Sequence, residues 1–167
     1  MCIRDRSDFA TPDTLLPVPQ VLDIAFKCCN ALEYAYREGL VHRDIKPANL
    51  MLAHGGDVKL TDFGAALSLR SDATQLSGLV GSPSYMSPEQ VREQDLTHHS
   101  DMFSLAVVVY ELLTGRRPFD GDTDFATLYN ISNETPTRPS LLRASLPAHV
   151  DEVLLRALAK QLSLIHI

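Results

Sequence analysis

The sequence has no apolar run approaching the roughly 20 residues a membrane-spanning helix requires, and its beginning lacks the apolar core of a secretory signal. The reading is therefore a soluble, intracellular chain, with the cytoplasm as the expected location. Cysteine is scarce. Of three, Cys28 and Cys29 are neighbours in a helical pattern, where adjacent side chains diverge, and Cys2 lies far away, so neither a zinc cluster nor a disulfide framework is indicated. Positive charge is also short: 15 Lys and Arg against 21 Asp and Glu give a formal net charge of -6. A broad basic surface for nucleic acid or anionic membrane is thereby excluded, and any anionic ligand must be held locally. There is no internal repeat and no low-complexity tract. What remains is 167 residues, 45% hydrophobic and 22% charged, enough for one globular domain with a core.

The two ends call for separate treatment. "MCIRDR" and "LSLIHI" can be encoded by strings that are reverse complements of each other, as in a transposon-end adaptor used to prepare sequencing libraries. Residues 1–6 and 162–167 are accordingly expected to be artefactual tails, leaving 7–161 as the protein proper.

Along the chain, "VPQVLDIAFKCCNALEYAYREG" repeats apolar residues at three- and four-residue steps through Val21, Ala25, Cys28, Leu32 and Ala35. This predicts a helix opened near Pro19 and closed by Gly39. "LML" and "VKLT" read as two strands joined by "AHGGD". An antiparallel hairpin would bring Asn49, just before the first strand, and Asp62, just after the second, to the same open end. Residues 65–82 are small and polar without a sustained period, which predicts a long functional loop. "SPEQVRE" predicts a short helix with Ser87 as N-cap, Pro88 at its first position and Gln90 completing a capping box. "SDMFSLAVVVYELLTG" is apolar almost all round, so a central helix is expected between Ser100 and Gly115, with His98 and His99 preceding it at the surface. "TDFATLYNIS" and "LPAHVDEVLLRALAK" predict two further amphipathic helices.

The chemistry-bearing residues sit at the hairpin mouth. "LVHRDIKPANLML" inserts His42, Arg43, Asp44, Lys46 and Asn49 between apolar flanks, and Asp62 is expected alongside. Two carboxylates, an amide oxygen and an ammonium suit a hard cation bound beside a phosphorylated substrate, because Mg²⁺ is held by few carboxylates plus phosphate oxygens. Phosphoryl transfer asks the protein chiefly for charge neutralisation and alignment. The bland reading of Asp44 and Lys46 is an exposed loop ion pair worth under about 1 kcal/mol.

"HRDIKPAN" (42–49), "DFG" (62–64), "GSPSYMSPE" (81–89) and "SDMFSLAVVVYELLTG" (100–115) follow in an order and spacing that resemble a protein kinase of the Ser/Thr type, bacterial in wording. The likeness covers most of residues 19–160. It implies an α+β protein-kinase-like fold of which this chain is the mainly α-helical C-terminal lobe with a short β-hairpin, the N-terminal lobe being absent. It implies transfer of the ATP γ-phosphate to Ser or Thr hydroxyls of a protein substrate, with ATP and Mg²⁺ as cofactors.

Carried over residue by residue, the resemblance makes Asp44 the catalytic base and Lys46 the steadying cation at the transferred phosphoryl group. Asn49 and Asp62 become the magnesium ligands, with Phe63 and Gly64 letting their turn pack and swing. Lysine two positions after the aspartate is similar to the Ser/Thr pattern, where tyrosine kinases place alanine and arginine. Ser82 stands where the family has a threonine that contacts the catalytic pair, and a serine hydroxyl makes the same hydrogen bonds. Arg43 implies pairing with an activation-loop phosphate, for which Thr74 and Ser77 are the best placed acceptors, although each also reads as an ordinary solvated hydroxyl. Asp101 implies a tether from the central helix to the catalytic-loop backbone, while as a plain helix residue it complements the positive N-terminus. His42 reads as a packing residue, and Ala106 replaces a common glycine.

Two departures matter. The arginine that pairs in this family with the counterpart of Glu89 is missing after "ALAK", so Glu89 is expected to lose its buried partner. No Gly-rich loop, strand lysine or helix glutamate precedes residue 19, so the roof of the nucleotide site is missing and the chain alone is expected to be inactive. The alternatives are a pseudokinase or scaffold lobe that binds protein partners, against which the four intact polar residues count, and a small-molecule kinase, disfavoured by "GSPSYMSPE".

Overall fold

The computed structural model describes residues 15–52, 57–63, 67–68 and 83–160. It has a helical body with two small antiparallel strand pairs on one side. The first helix, α1, spans Val18–Arg37 and buries Val21, Ile24, Cys28, Leu32 and Ala35. The buried face is turned slightly from the expected one, with Ile24 fully inside and Ala25 at the margin, because the larger side chain gains more by leaving water. Gly39 ends the segment at φ 76°, a left-handed conformation that glycine adopts without a Cβ clash.

The chain then forms β1 (Leu40–Val41), the 42–49 segment, β2 (Leu50–Leu52) and β3 (Val58–Leu60). The last two pair antiparallel with Leu50 opposite Leu60 and Leu52 opposite Val58, the expected hairpin. A fourth strand, β4 (Leu67–Ser68), pairs with β1 through Leu40 opposite Ser68. That strand lies inside the stretch expected to be loop throughout. Two residues carry no periodicity, and only the partner strand gives their extended backbone a reason to form.

A short α2 (Pro88–Val91) leads to α3 (His98–Thr114), which runs through the centre. Every residue of α3 from Phe103 to Thr114 is buried, so its near-uniform apolarity reflects contact on all sides. α3 begins two residues before the expected start: Thr97 is the N-cap, accepting from His99 N–H, while Ser100 accepts from Thr97 N–H as the reciprocal half of the box. His98 and His99 are therefore the first residues of the helix, half-buried, with the Tyr36 ring tilted against that of His98 at 4.2 Å between centroids. Gly115, at φ 72°, closes the helix.

α4 (Asp124–Asn133), α5 (Pro139–Leu142) and α6 (Ala148–Ala157) complete the body; α5 is too short to leave a sequence period. Asp151 of α6 accepts from Ser140 N–H at 2.9 Å and so satisfies the open N-terminus of α5. Arg143 donates to Leu113 O and Leu16 O, each at 3.2 Å, fastening the end of α3 to the segment before α1. Tyr110, buried in the middle of α3, satisfies its hydroxyl on Thr137 O at 2.8 Å. Among the described residues no helix is long and apolar enough to cross a membrane.

Candidate active site

The loop between β1 and β2 is pinned by alternate burial. Val41, His42, Ile45, Asn49 and Leu50 are buried, while Arg43, Asp44 and Lys46 lie half-exposed between them. The apolar residues leave no freedom to slide, because exposing any of them would cost about 1.5–3 kcal/mol. Pro47–Asn49 forms a single 3₁₀ turn, with Asn49 N–H donating to Lys46 O at 3.0 Å.

The loop backbone is held from α3. Asp101, 4% exposed, accepts from His42 N–H and Arg43 N–H, both at 2.8 Å, one on each carboxylate oxygen. Burial pushes the Asp101 carboxyl above its usual range, and the two backbone donors pull against that shift. Arg43 takes a left-handed backbone, φ 69°, unusual for a residue with a side chain. Burial lowers its guanidinium below the ordinary arginine value, with Asp101 opposing.

Three polar side chains converge just beyond this anchor. Lys46 Nζ lies 2.7 Å from Asp44 Oδ2. Asn49 Nδ2 donates to Asp44 O at 2.7 Å and to Asp44 Oδ2 at 3.0 Å. Both partners accept only, which fixes the orientation of the Asn49 amide and leaves its carbonyl oxygen as the atom for another ligand. The pair Asp44–Lys46 is thus part of a three-residue arrangement locked by the 3₁₀ turn, more constrained than a loop ion pair.

The hairpin delivers the remaining pieces. Thr61 N–H donates to Asn49 O at 3.0 Å, so the end of β3 is bonded to the start of β2. Thr61 O lies 3.0 Å from His42 Nε2, and Asp44 N–H donates to His42 Nδ1 at 3.3 Å, which makes His42 a buried spacer between hairpin and loop. Asp62 is exposed at this same end with φ 66°, and the Phe63 ring rests 4.5 Å from that of His42. Asn49 and Asp62 offer oxygen donors only, a set suited to a hard divalent cation that completes its shell with phosphate and water. Among the described residues no group of three or more His, Cys, Asp or Glu forms a metal cluster.

On the other side, Ser87 caps α2 with the full reciprocal box to Gln90. Tyr85 donates its hydroxyl to Glu111 Oε2 at 2.6 Å, and Arg117 donates to Ser84 Oγ. Glu89 is buried, 7% exposed, and its Oε2 has no hydrogen-bond partner among the described residues.

Comparison with known proteins decides the family. The family model described as protein kinase domain matches residues 4–161. The chain belongs to the protein kinase family. It is 37% identical to the serine/threonine-protein kinase PknB of Mycobacterium leprae over 155 residues, covering 92% of this chain and 25% of that protein. It is 45% identical over 134 residues to the probable serine/threonine-protein kinase PknB of Bifidobacterium longum, covering 78% and 19% respectively. The probable serine/threonine-protein kinase SCO3848 of Streptomyces coelicolor is 40% identical over 149 residues, 87% of this chain and 22% of that one. The chain thus spans about a quarter of the length of the curated relatives it matches, and it resembles bacterial Ser/Thr kinases over most of its own.

Within this kinase domain, Asp44, Lys46 and Asn49 are in direct contact, Asp62 and Phe63 stand at the adjoining hairpin mouth, and His42, Arg43 and Asp101 form the support beneath. Glu89 sits apart, on α2. Gly64, Thr74, Ser77 and Ser82 lie outside the described residues, as do both adaptor-like ends. Two participants escaped sequence reading. Thr61 acts through its backbone, which no side-chain pattern reveals. Gln90 was visible only as the local half of a capping box.

Proposed function

We propose that this chain is the C-terminal lobe of a Ser/Thr protein kinase that transfers the ATP γ-phosphate to Ser or Thr hydroxyls of a protein substrate. The observation that carries this reading is the contact of Asp44 with both Lys46 and Asn49 above a backbone clamped by Asp101. Asp44 accepts the proton of the attacking hydroxyl and aims its oxygen. Lys46 holds Asp44 and presents positive charge where negative charge gathers in the transition state. Asn49, through its carbonyl oxygen, and Asp62, through its carboxylate, hold the metal, and bound Mg²⁺ supplies the neutralising charge for the phosphates. Ser82 positions the substrate hydroxyl by contacting Asp44 and Lys46, Phe63 and Gly64 shape the turn after Asp62, and Arg43 receives a phosphate on Thr74 or Ser77.

In this reading residues 7–161 are the lobe itself, and 1–6 and 162–167 are appended adaptor translation. The roof of the nucleotide site lies outside the chain, so the 167 residues alone transfer no phosphate. The test is phosphotransfer from ATP to a Ser-containing peptide by the full-length gene product. Asp44→Asn is expected to lower kcat by about 10²- to 10⁴-fold. An unmodified full-length product that binds partners but transfers nothing would replace this reading with the scaffold one. Loss of Thr74 and Ser77 together with unchanged activity would end the regulatory part.

A further inference from the structure

Gln90 makes a contact that its place in a capping box does not require. Its Oε1 accepts from Ser87 N–H at 2.9 Å, the ordinary reciprocal cap bond, while its Nε2 donates to Arg43 O at 2.8 Å, 47 residues away in the chain. Since one partner only donates and the other only accepts, a single orientation of the amide satisfies both. We propose that Gln90 is a positioning residue for Asp44: its amide joins the α2 cap to the Arg43 carbonyl and so sets the peptide plane from which Asp44 projects.

The physical route is short. Arg43 holds a left-handed backbone that costs of order 1–3 kcal/mol for a residue with a Cβ, so it persists only if its flanking peptides are tied down. Its N–H is tied to Asp101 Oδ1 at 2.8 Å. Its C=O is tied to Gln90. A peptide unit is planar, so fixing the Arg43 carbonyl also fixes the Asp44 N–H on the opposite edge, which donates to His42 Nδ1 at 3.3 Å. The strained residue before Asp44 is therefore held at one end from α3 and at the other from α2. Because α2 directly follows the 83–87 segment, a shift of that segment reaches Asp44 through Gln90. The inference rests on the kinase reading for its consequence in turnover, but the bridge itself is testable without activity.

Gln90→Glu separates the two bonds. A carboxylate keeps the acceptor for Ser87 N–H and removes the donor to Arg43 O. In the 167-residue chain, residue-resolved hydrogen exchange is expected to show the Asp44 and Arg43 amides exchanging about three- to tenfold faster in this variant. Val91 and Arg92, whose amides donate to Ser87 O and Pro88 O, should keep their wild-type rates. Ser87→Ala should do the reverse, loosening the start of α2 and sparing the loop. Unchanged rates at Asp44, or an equal acceleration at every amide, would overturn the proposal. If the carboxylate prevents folding, Gln90→Met is compared with Ser87→Ala: greater exchange at Asp44 in the former supports the bridge, and equal exchange overturns it. In the full-length product, Gln90→Glu is expected to lower kcat about tenfold with the KM for ATP unchanged, and an unchanged kcat would overturn the link to Asp44. A full-length wild type that transfers no phosphate removes the kinase reading, while the exchange experiment still decides the bridge.

Discussion

Two buried acids, Asp101 on α3 and Glu89 on α2, are almost equally hidden, at 4% and 7% exposure, yet they are treated in opposite ways. Asp101 has a backbone donor on each oxygen, His42 N–H and Arg43 N–H. Glu89 Oε2 has no hydrogen-bond partner among the described residues. A buried carboxylate is tolerable when hydrogen-bonded and costly when not, so the two acids should respond differently to substitution. Asp101 and the backbone of the 42–43 segment satisfy one another.

Removing the satisfied acid should have the largest effect. Asp101→Ala strands two backbone N–H groups and is expected to cost about 2–5 kcal/mol, read from urea unfolding of the chain. Asp101→Asn should cost less, since the amide keeps one acceptor. Should Asp101→Ala prove no worse than Glu89→Ala, the contrast between the two acids collapses.

Glu89→Gln should move stability the other way. It removes an unpaired buried charge at constant shape, and a gain of up to about 1 kcal/mol is expected in this chain by the same unfolding measurement. In the full-length product, where we propose that a cation completes the site, the same substitution should destabilise.

A pH series adds a half-buried charge, Lys160. Burial lowers the Lys160 amine to about 7, Arg92 adds to the shift and Glu134 opposes it, while the ammonium lies 3.3 Å from the centre of the Phe119 ring. The folded state then binds fewer protons than the unfolded one between about pH 7 and the ordinary lysine value, so stability should rise with pH across that window. Above about pH 9 the Cys28 thiol, raised to about 12 by burial and by Cys29, works against the rise, because stability from a raised pKa is lost as pH climbs through it. The urea midpoint should be higher near about pH 8.5 than near about pH 6.5, and Lys160→Met should flatten the difference.

The smallest effect belongs to the surface. Glu33 and Arg37 form an i,i+4 pair on α1 with both side chains more than half exposed. Glu33→Ala should change the urea midpoint by less than about 0.5 kcal/mol equivalent. A larger loss would mean that solvated ion pairs rival the buried acids.

Legibility followed the range of the interactions. Periodicity exposed α1, α4 and α6, and the run around Phe103–Leu113 announced the central helix, because these signals lie within a few residues of one another. The Ser87–Gln90 box was equally local. The start of α3 was misplaced because Ser100 reads as its boundary, and only the structure shows Thr97 as the residue outside the helix with Ser100 as its N3 partner. β4 and α5 were missed because two and four residues hold no period.

By itself, the sequence carried the family likeness through its ordered motifs, the hairpin that brings Asn49 beside the end of β3, and the reciprocal cap between Ser87 and Gln90. Helical and strand periods, cap spacing and residue chemistry are written locally. Only the tertiary structure decided that Asp101 takes one loop amide on each of its carboxylate oxygens, that Thr61 meets His42 through its backbone, that β4 closes on β1 and that Gln90 reaches Arg43. Each depends on the direction of a backbone group or on packing across tens of residues, and the energy that selects it comes from satisfying buried polar groups after the core has formed.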